Sequence, residues 1–210
     1  DGLKISRVIY PFSSNNLNHL IKYNNHLKER FTSLLDKLKS LSLQDQTSKD
    51  QLLCVLREDA RKFNFIDIQQ CSLQIQQEAE CIHTSYKKEY IKAEIGFLIR
   101  IREVKDDKLR YVGQVDVEEL DTAIDILKEQ EKMVEDMEEM KPAILQIYSI
   151  IALYTTFIKD EPIHQVGTLF PGGFIVKKEG DKYTCPVKDN NNDNPLALCP
   201  FCIAEQDEEV

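Results

Sequence analysis

Apolar residues recur along this chain in steps of three, four and seven, the spacing that keeps side chains on one face of an α-helix. After the Ser13–Ser14 cap candidates, Leu17, Leu20, Leu27, Phe31, Leu34, Leu38 and Leu41 share such a face. The stretch "SLQDQTSKD" interrupts it with turn and cap residues. A shorter helix is predicted from about Ser48 to Phe63, with Leu52, Val55, Leu56, Ala60 and Phe63 inward. The next stripe is the longest. Asp67 with Gln70 reads as a capping-box start, and Ile68, Cys71, Ile75, Ala79, Ile82, Tyr86, Tyr90, Ala93, Phe97 and Ile101 follow at steps of three or four. Uninterrupted, that is one helix of about nine turns. "DDKLRYVGQ" ends it, with room for a short extended piece around Leu109 to Val112. A fourth helix begins at Asp116, boxed by Glu119, and carries Val117, Leu120, Ile124, Leu127, Val134 and Met137 on one face. Pro142 suits the first turn of a renewed helix, and the residues from Ala143 to Ile158 are apolar on nearly all sides, as a central helix requires.

At "DEPIHQVGTLFPGG" two prolines and three glycines end the helical pattern. "FIVKKEGDKYTC" then reads as a β-hairpin turning at Glu179–Gly180–Asp181 and delivering Cys185 at its end. The predicted architecture is mainly α. A bundle of four to five helices occupies 1–160, and 161–210 forms a small cap of Pro/Gly-rich segment, hairpin and cysteine cluster packed on the bundle.

That cluster holds the candidate chemistry. Three of the six cysteines fall in "CPVKDNNNDNPLALCPFC", spaced Cys185-x13-Cys199-x2-Cys202. A C-x2-C turn points two sulfurs at one cation, and a hairpin end can add a third. Cys199-Pro200-Phe201-Cys202 is similar to the knuckles of rubredoxin and zinc-ribbon proteins, with Ile203 where a glycine commonly stands. The fourth ligand is expected to be His164, in the segment entering the cap, with His83 as the alternative. His19 and His26 have no ligand-like company. Zinc suits a Cys3His site; an iron–sulfur cluster or a free Cys199/Cys202 dithiol are the other uses of the same thiols. Cys54 and Cys71 are expected to pack as small hydrophobes. Cys81 and His83, two apart, point to opposite sides of a regular helix. "HTSYKKEY" places His83, Lys87, Tyr90 and Glu94 near one face, a mixture a metal-dependent active site could use and a salt-bridged flank would equally show. No phosphate-binding, dinucleotide-binding or nucleophile-elbow motif occurs.

The net charge of −9 repels phosphate backbones, so nucleic acid is excluded as a default partner. The acidic residues of 129–139 read as a solvated face or a surface for a basic protein partner. The most apolar segment, 143–158, is shorter than the ~20 residues of a membrane span and carries four polar side chains. With no leader pattern at the start, the expected compartment is a reducing cytoplasm, which favours thiolates and metal over disulfides.

The block "EPIHQVGTLFPGGFIV…YTCPVKDNNNDNPLALCPFC", with "IHTSYKKEY" upstream, resembles a family of methanogenic archaea catalogued as domain of unknown function 2115. The resemblance implies a cytoplasmic protein of an anaerobe, with His83, His164, Cys185, Cys199 and Cys202 in the family's characteristic segments and Cys54 and Cys71 outside its pattern. It brings no activity, and an anaerobic setting raises the weight of iron–sulfur chemistry against zinc. The expectation from sequence is a metal-organised, partner-binding protein, with a redox protein or an enzyme at the same cysteines as rival classes. Oligomeric state is not legible.

Overall fold

The computed structural model describes residues 14–135, 142–191 and 193–209, with side chains except at 14–24, 135 and 142. The cap candidate Ser13, the side chains of Ser14, Leu17 and Leu20, and Met137 fall outside that description. Helix α1 (Ser14–Ser42) buries Leu27, Phe31, Leu34, Leu38 and Leu41, the face read from the spacing. Ser48 caps α2 (Lys49–Ala60): its hydroxyl accepts from the Gln51 N–H at 3.2 Å, and the Gln51 side chain accepts the Ser48 N–H at 2.8 Å. Two orphaned backbone donors are satisfied at once. Leu52, Leu53, Leu56 and Ala60 are buried from this helix, whereas Cys54 lies out of phase with them and is exposed, contrary to its expected packing role.

The long third helix is not one helix. Asn64 caps α3 (Phe65–Glu78), its side chain accepting from the N–H of Ile66 at 2.7 Å, while Asp67 accepts the Asn64 N–H at 2.6 Å. The capping box therefore sits three residues earlier than Asp67 and Gln70 suggested. A 3-10 turn at Ala79–Cys81 follows, Ile82 becomes extended, and His83 caps α4 (Thr84–Ile99). The chain doubles back here, so α4 packs beside α3 instead of continuing it. A second interruption at Arg100 begins the short α5 (Ile101–Asp106). Arg100 is buried and held by the carbonyl of Ile163 and the carboxylate of Glu103.

The piece expected to be extended at Leu109 to Val112 is an irregular loop. Its Leu109 and Val112 side chains are exposed, and its N–H groups donate to Asp107 and Asp50 side chains, not to a strand. Pairing occurs just beyond it: β1 (Thr47–Ser48) lies antiparallel to β2 (Gln114–Val115). Asp116 then caps α6 (Val117–Glu135), accepting from the N–H groups of Glu118 and Glu119. Leu120, Ala123, Ile124, Leu127 and Val134 form its buried face.

Helix α7 (Pro142–Phe157) runs through the middle of the bundle and touches α1 to α6. Ile147, Ile151, Ala152 and Leu153 are fully buried, and burial of each large aliphatic side chain stabilises by about 1.5–3 kcal/mol. Two of its buried polar residues take backbone partners: Ser149 donates to the Leu145 carbonyl, and Gln146 to that of Leu27. No helix among the described residues is long and apolar enough to cross a membrane.

Beyond α7 the described residues hold no further α-helix, only short 3-10 turns and strands, where prolines and glycines crowd the sequence. Strands β3 (Lys177–Glu179) and β4 (Lys182–Cys185) form the expected hairpin, with Glu179 opposite Lys182 and Gly180 at φ +61° in the turn. A third strand, β5 (Glu205–Gln206), adds in parallel to β4. Val176, Cys185 and Ala204 form a small core inside this cap, while Leu196, Leu198 and Phe201 pack against the main core. Gln130 on α6 donates to the carbonyls of Pro195 and Ala197, tying the cap loop down.

Candidate functional site

The cysteine cluster is assembled by backbone geometry. Strand β4 ends at Cys185, whose sulfur receives the N–H groups of Val187 and Lys188 as the chain turns. Cys199 opens a 3-10 turn that brings the Cys202 N–H onto its own carbonyl at 3.1 Å. Strand β5 then lays Gln206 beside Cys185, which returns the Cys199–Cys202 turn to the end of the hairpin. Lys188 donates to the carbonyls of Cys202 and Ala204, fastening the two cysteine-bearing turns together. The N–H of Ile163 donates to the Cys202 sulfur at 3.4 Å, so the segment carrying His164 is joined to the cluster directly.

All three cysteines line a cavity of about 360 Å³ between the cap and helices α3, α4 and α7. His164 lines it as well. Its ring lies among those of Phe97 and Phe170, with centroids 6.2 and 5.2 Å away, and neither ring nitrogen hydrogen-bonds to the described residues. Burial and the nearby Arg100 charge push its imidazole down to about 4, so it is neutral at physiological pH. Cys185, Cys199, Cys202 and His164 thus all border this one cavity.

His83 is not among the residues on that cavity. It is exposed at the N-cap of α4, where Nδ1 accepts the Ser85 N–H at 3.3 Å and meets the Ser85 hydroxyl at 2.8 Å. Lys87 pairs with Glu80 at 2.7 Å. Of the mixed face "HTSYKKEY", only Tyr90 and Glu94 reach the cavity. They meet residues that spacing could not reveal: Glu78 from α3, Tyr148 from α7 and Lys188 from the cap. The Tyr148 hydroxyl donates to Glu94 Oε2 at 2.6 Å. Burial pushes the Glu94 carboxyl above its ordinary range, more than the Tyr148 hydrogen bond lowers it. Burial likewise raises Tyr90 to about 12 and Tyr148 further.

The thiols also respond to their setting. Burial, then the neighbouring Cys202 and Cys185, push Cys199 up to about 11. Cys185 is raised too, by burial, against the pull of the N–H groups at its sulfur. Mutual influence marks the three as neighbours. Even so, among the described residues no three His, Cys, Asp or Glu side chains form a group that could hold a metal ion as they stand.

Residues 48–207 match the profile of a family described as an uncharacterized protein conserved in archaea, DUF2115. The chain belongs to this family. The match runs from the N-cap of α2 to just past strand β5, leaving α1 before it. A UPF0305 protein of Methanothermobacter thermautotrophicus is 38% identical over 161 residues, covering 76% of this chain and 97% of the relative. A second from the same organism is 32% identical over 157 residues, covering 75% and 95%. A UPF0305 protein of Methanopyrus kandleri is 32% identical over 135 residues, covering 63% and 93%. These methanogen relatives agree with the family resemblance read from "CPFC" and its surroundings. No solved structure matches the chain.

Proposed function

We propose that one metal ion, zinc, organises the cap through Cys185, Cys199 and Cys202 with His164 as fourth ligand, and that the protein is a binding module presenting this clasp to a protein partner. One observation carries the proposal: thiols separated by up to 17 positions in the chain line one cavity with an imidazole whose nitrogens have no hydrogen-bond partner among the described residues. Three sulfurs and one imidazole are a donor set that zinc takes in tetrahedral geometry. The N–H groups at the sulfurs of Cys185 and Cys202 stabilise the thiolate form a ligand needs. The sulfurs are not preset as a tripod, so binding draws the turns at 185–188 and 199–202 inward and couples metal affinity to cap folding.

A free redox dithiol is the weaker use of these residues. Burial and neighbouring thiols hold Cys199 near 11, where little thiolate exists at neutral pH, and thiolate is the reactive form. A bound cation supplies the charge that burial withholds.

Elemental analysis and a visible spectrum of protein purified without oxygen test this. One zinc per chain and a colourless solution support it; iron with sulfide replaces it by the cluster reading. If no metal co-purifies and Cys199→Ser leaves the melting midpoint unchanged, the metal reading fails.

A further inference from the structure

We propose that the cavity between the bundle and the cap is a binding site for a small primary amine with an apolar body. Its volume, about 360 Å³, lies in the range of small-molecule sites, roughly 300–1,000 Å³. Apolar side chains including Phe97, Ile144 and Leu198 form much of the wall, and the polar groups of the bundle side converge on one region. There Glu94 Oε2 receives the Tyr148 hydroxyl, and Oε1 has no hydrogen-bond partner among the described residues. No lysine or arginine among the described residues pairs with Glu94. Glu78, which accepts from Gln74 at 2.8 Å, adds a second carboxylate close enough to raise Glu94 further. The cation on the cavity wall, Lys188, is committed to cap carbonyls.

A carboxylate taken out of water without a cationic partner is costly, and an ammonium group brought to it offsets that cost. Tyr148 and Phe97 stand edge to face, with centroids 4.8 Å apart, and Tyr90 adds a third ring. Such faces attract both a cation and an apolar ligand body. A carboxylate or phosphate ligand would bring further acceptor oxygens to a region already supplied with them by the Glu78 and Glu94 carboxyls. The inference goes beyond the metal clasp and does not rest on it, because the receiving groups are on α3, α4 and α7 and none is a thiol.

Isothermal titration of the full chain near neutral pH with benzylamine, benzyl alcohol and benzoate tests it. Benzylamine is expected to saturate one site at least about tenfold more tightly than benzyl alcohol, the worth of one charge-assisted hydrogen bond. Benzoate is expected to give no saturable heat. Glu94→Gln keeps an acceptor for Tyr148 and should make benzylamine and benzyl alcohol bind alike, at unchanged zinc content. Leu198→Trp, which enlarges a lining side chain on the cap side and leaves both carboxyls in place, should abolish benzylamine binding. Failure of benzylamine to saturate overturns the inference; so does equal binding of benzoate, or full preference for the amine in Glu94→Gln. Protein that lacks zinc yet binds benzylamine sustains this inference and removes the metal reading.

Discussion

Removing the hydroxyl of Tyr154 is expected to cost the fold more than removing that of Tyr111, although both donate to the same oxygen. Asp107 Oδ2 accepts from Tyr154 at 2.6 Å and from Tyr111 at 2.8 Å, while Oδ1 accepts the Leu109 N–H at 2.8 Å. Through these bonds the loop after α5 is pinned to the central helix, and Arg57 pins it to α2 through the Asp107 carbonyl. Tyr154 is 4% exposed and Asp107 9%, so water replaces the lost donor poorly. A hydrogen bond to a charged group contributes about 1.5–3 kcal/mol. Tyr154→Phe should therefore lower stability by about 2 kcal/mol, or the melting midpoint by about 4–8 °C for a chain of this size. Tyr111→Phe, at a partly exposed site, should cost about half that.

The acid dependence gives the same reasoning an independent check. Burial alone would raise the Asp107 carboxyl, but donation from Tyr154, Leu109 and Tyr111 outweighs it and holds the group below its ordinary range. A carboxylate depressed in the folded state stabilises fully above its unfolded value, about 3.9, and the contribution is lost as pH falls through the folded value. The penalty of Tyr154→Phe, read from melting curves, should thus be largest near neutral pH and shrink in strong acid. In an Asp107→Ala background it should nearly vanish. A midpoint within about 1 °C of the parent at neutral pH, or an undiminished penalty beside Asp107→Ala, would falsify this account.

Two further substitutions probe the cap. Gln130→Ala removes the donor to the Pro195 and Ala197 carbonyls and should destabilise by about 1–2 kcal/mol, with faster hydrogen exchange in 194–202 and none in α2. Gly172→Ala places a Cβ 2.7 Å from the Phe174 ring at φ +87°, so urea unfolding should show a loss of about 1–2 kcal/mol, whereas Gly96→Ala, in a helix with open space, should not.

The helical faces were legible because burial and periodicity are one signal: Leu27 to Leu41, Leu120 to Val134 and most of α7 between Ala143 and Phe157 bury what spacing marked. The break at 79–84 was not. Ala79, Ile82 and Tyr86 keep steps of three and four through a 3-10 turn, so the stripe runs on while the chain reverses, and a histidine cap gives no familiar start signal. Asn64 with Asp67 and Asp67 with Gln70 fit the same box pattern, which shifted the start of α3 by three residues. Strand β5 is two polar residues, Glu205 and Gln206, too short to show the apolar alternation that marks a strand. Cys185, Cys199 and Cys202 stand out in the sequence because their spacing is local, and His164 because it lies in the segment entering the cap; Glu94 and Tyr148, 54 residues apart, meet only through packing.

The parallel pairing of β5 with β4 also sets the order of events during synthesis. Helices α1 to α7 can close their core once residue 157 has emerged, but the turn holding Cys199 and Cys202 is stapled beside Cys185 only after 205–207 arrive. Domains fold as their segments leave the ribosome, so a chain stalled in the Asn-rich loop carries a finished bundle with an unroofed hollow, its Phe97, Ile144 and Tyr148 open to solvent. Whatever this hollow holds, it can be sealed in only by the last fifth of the chain.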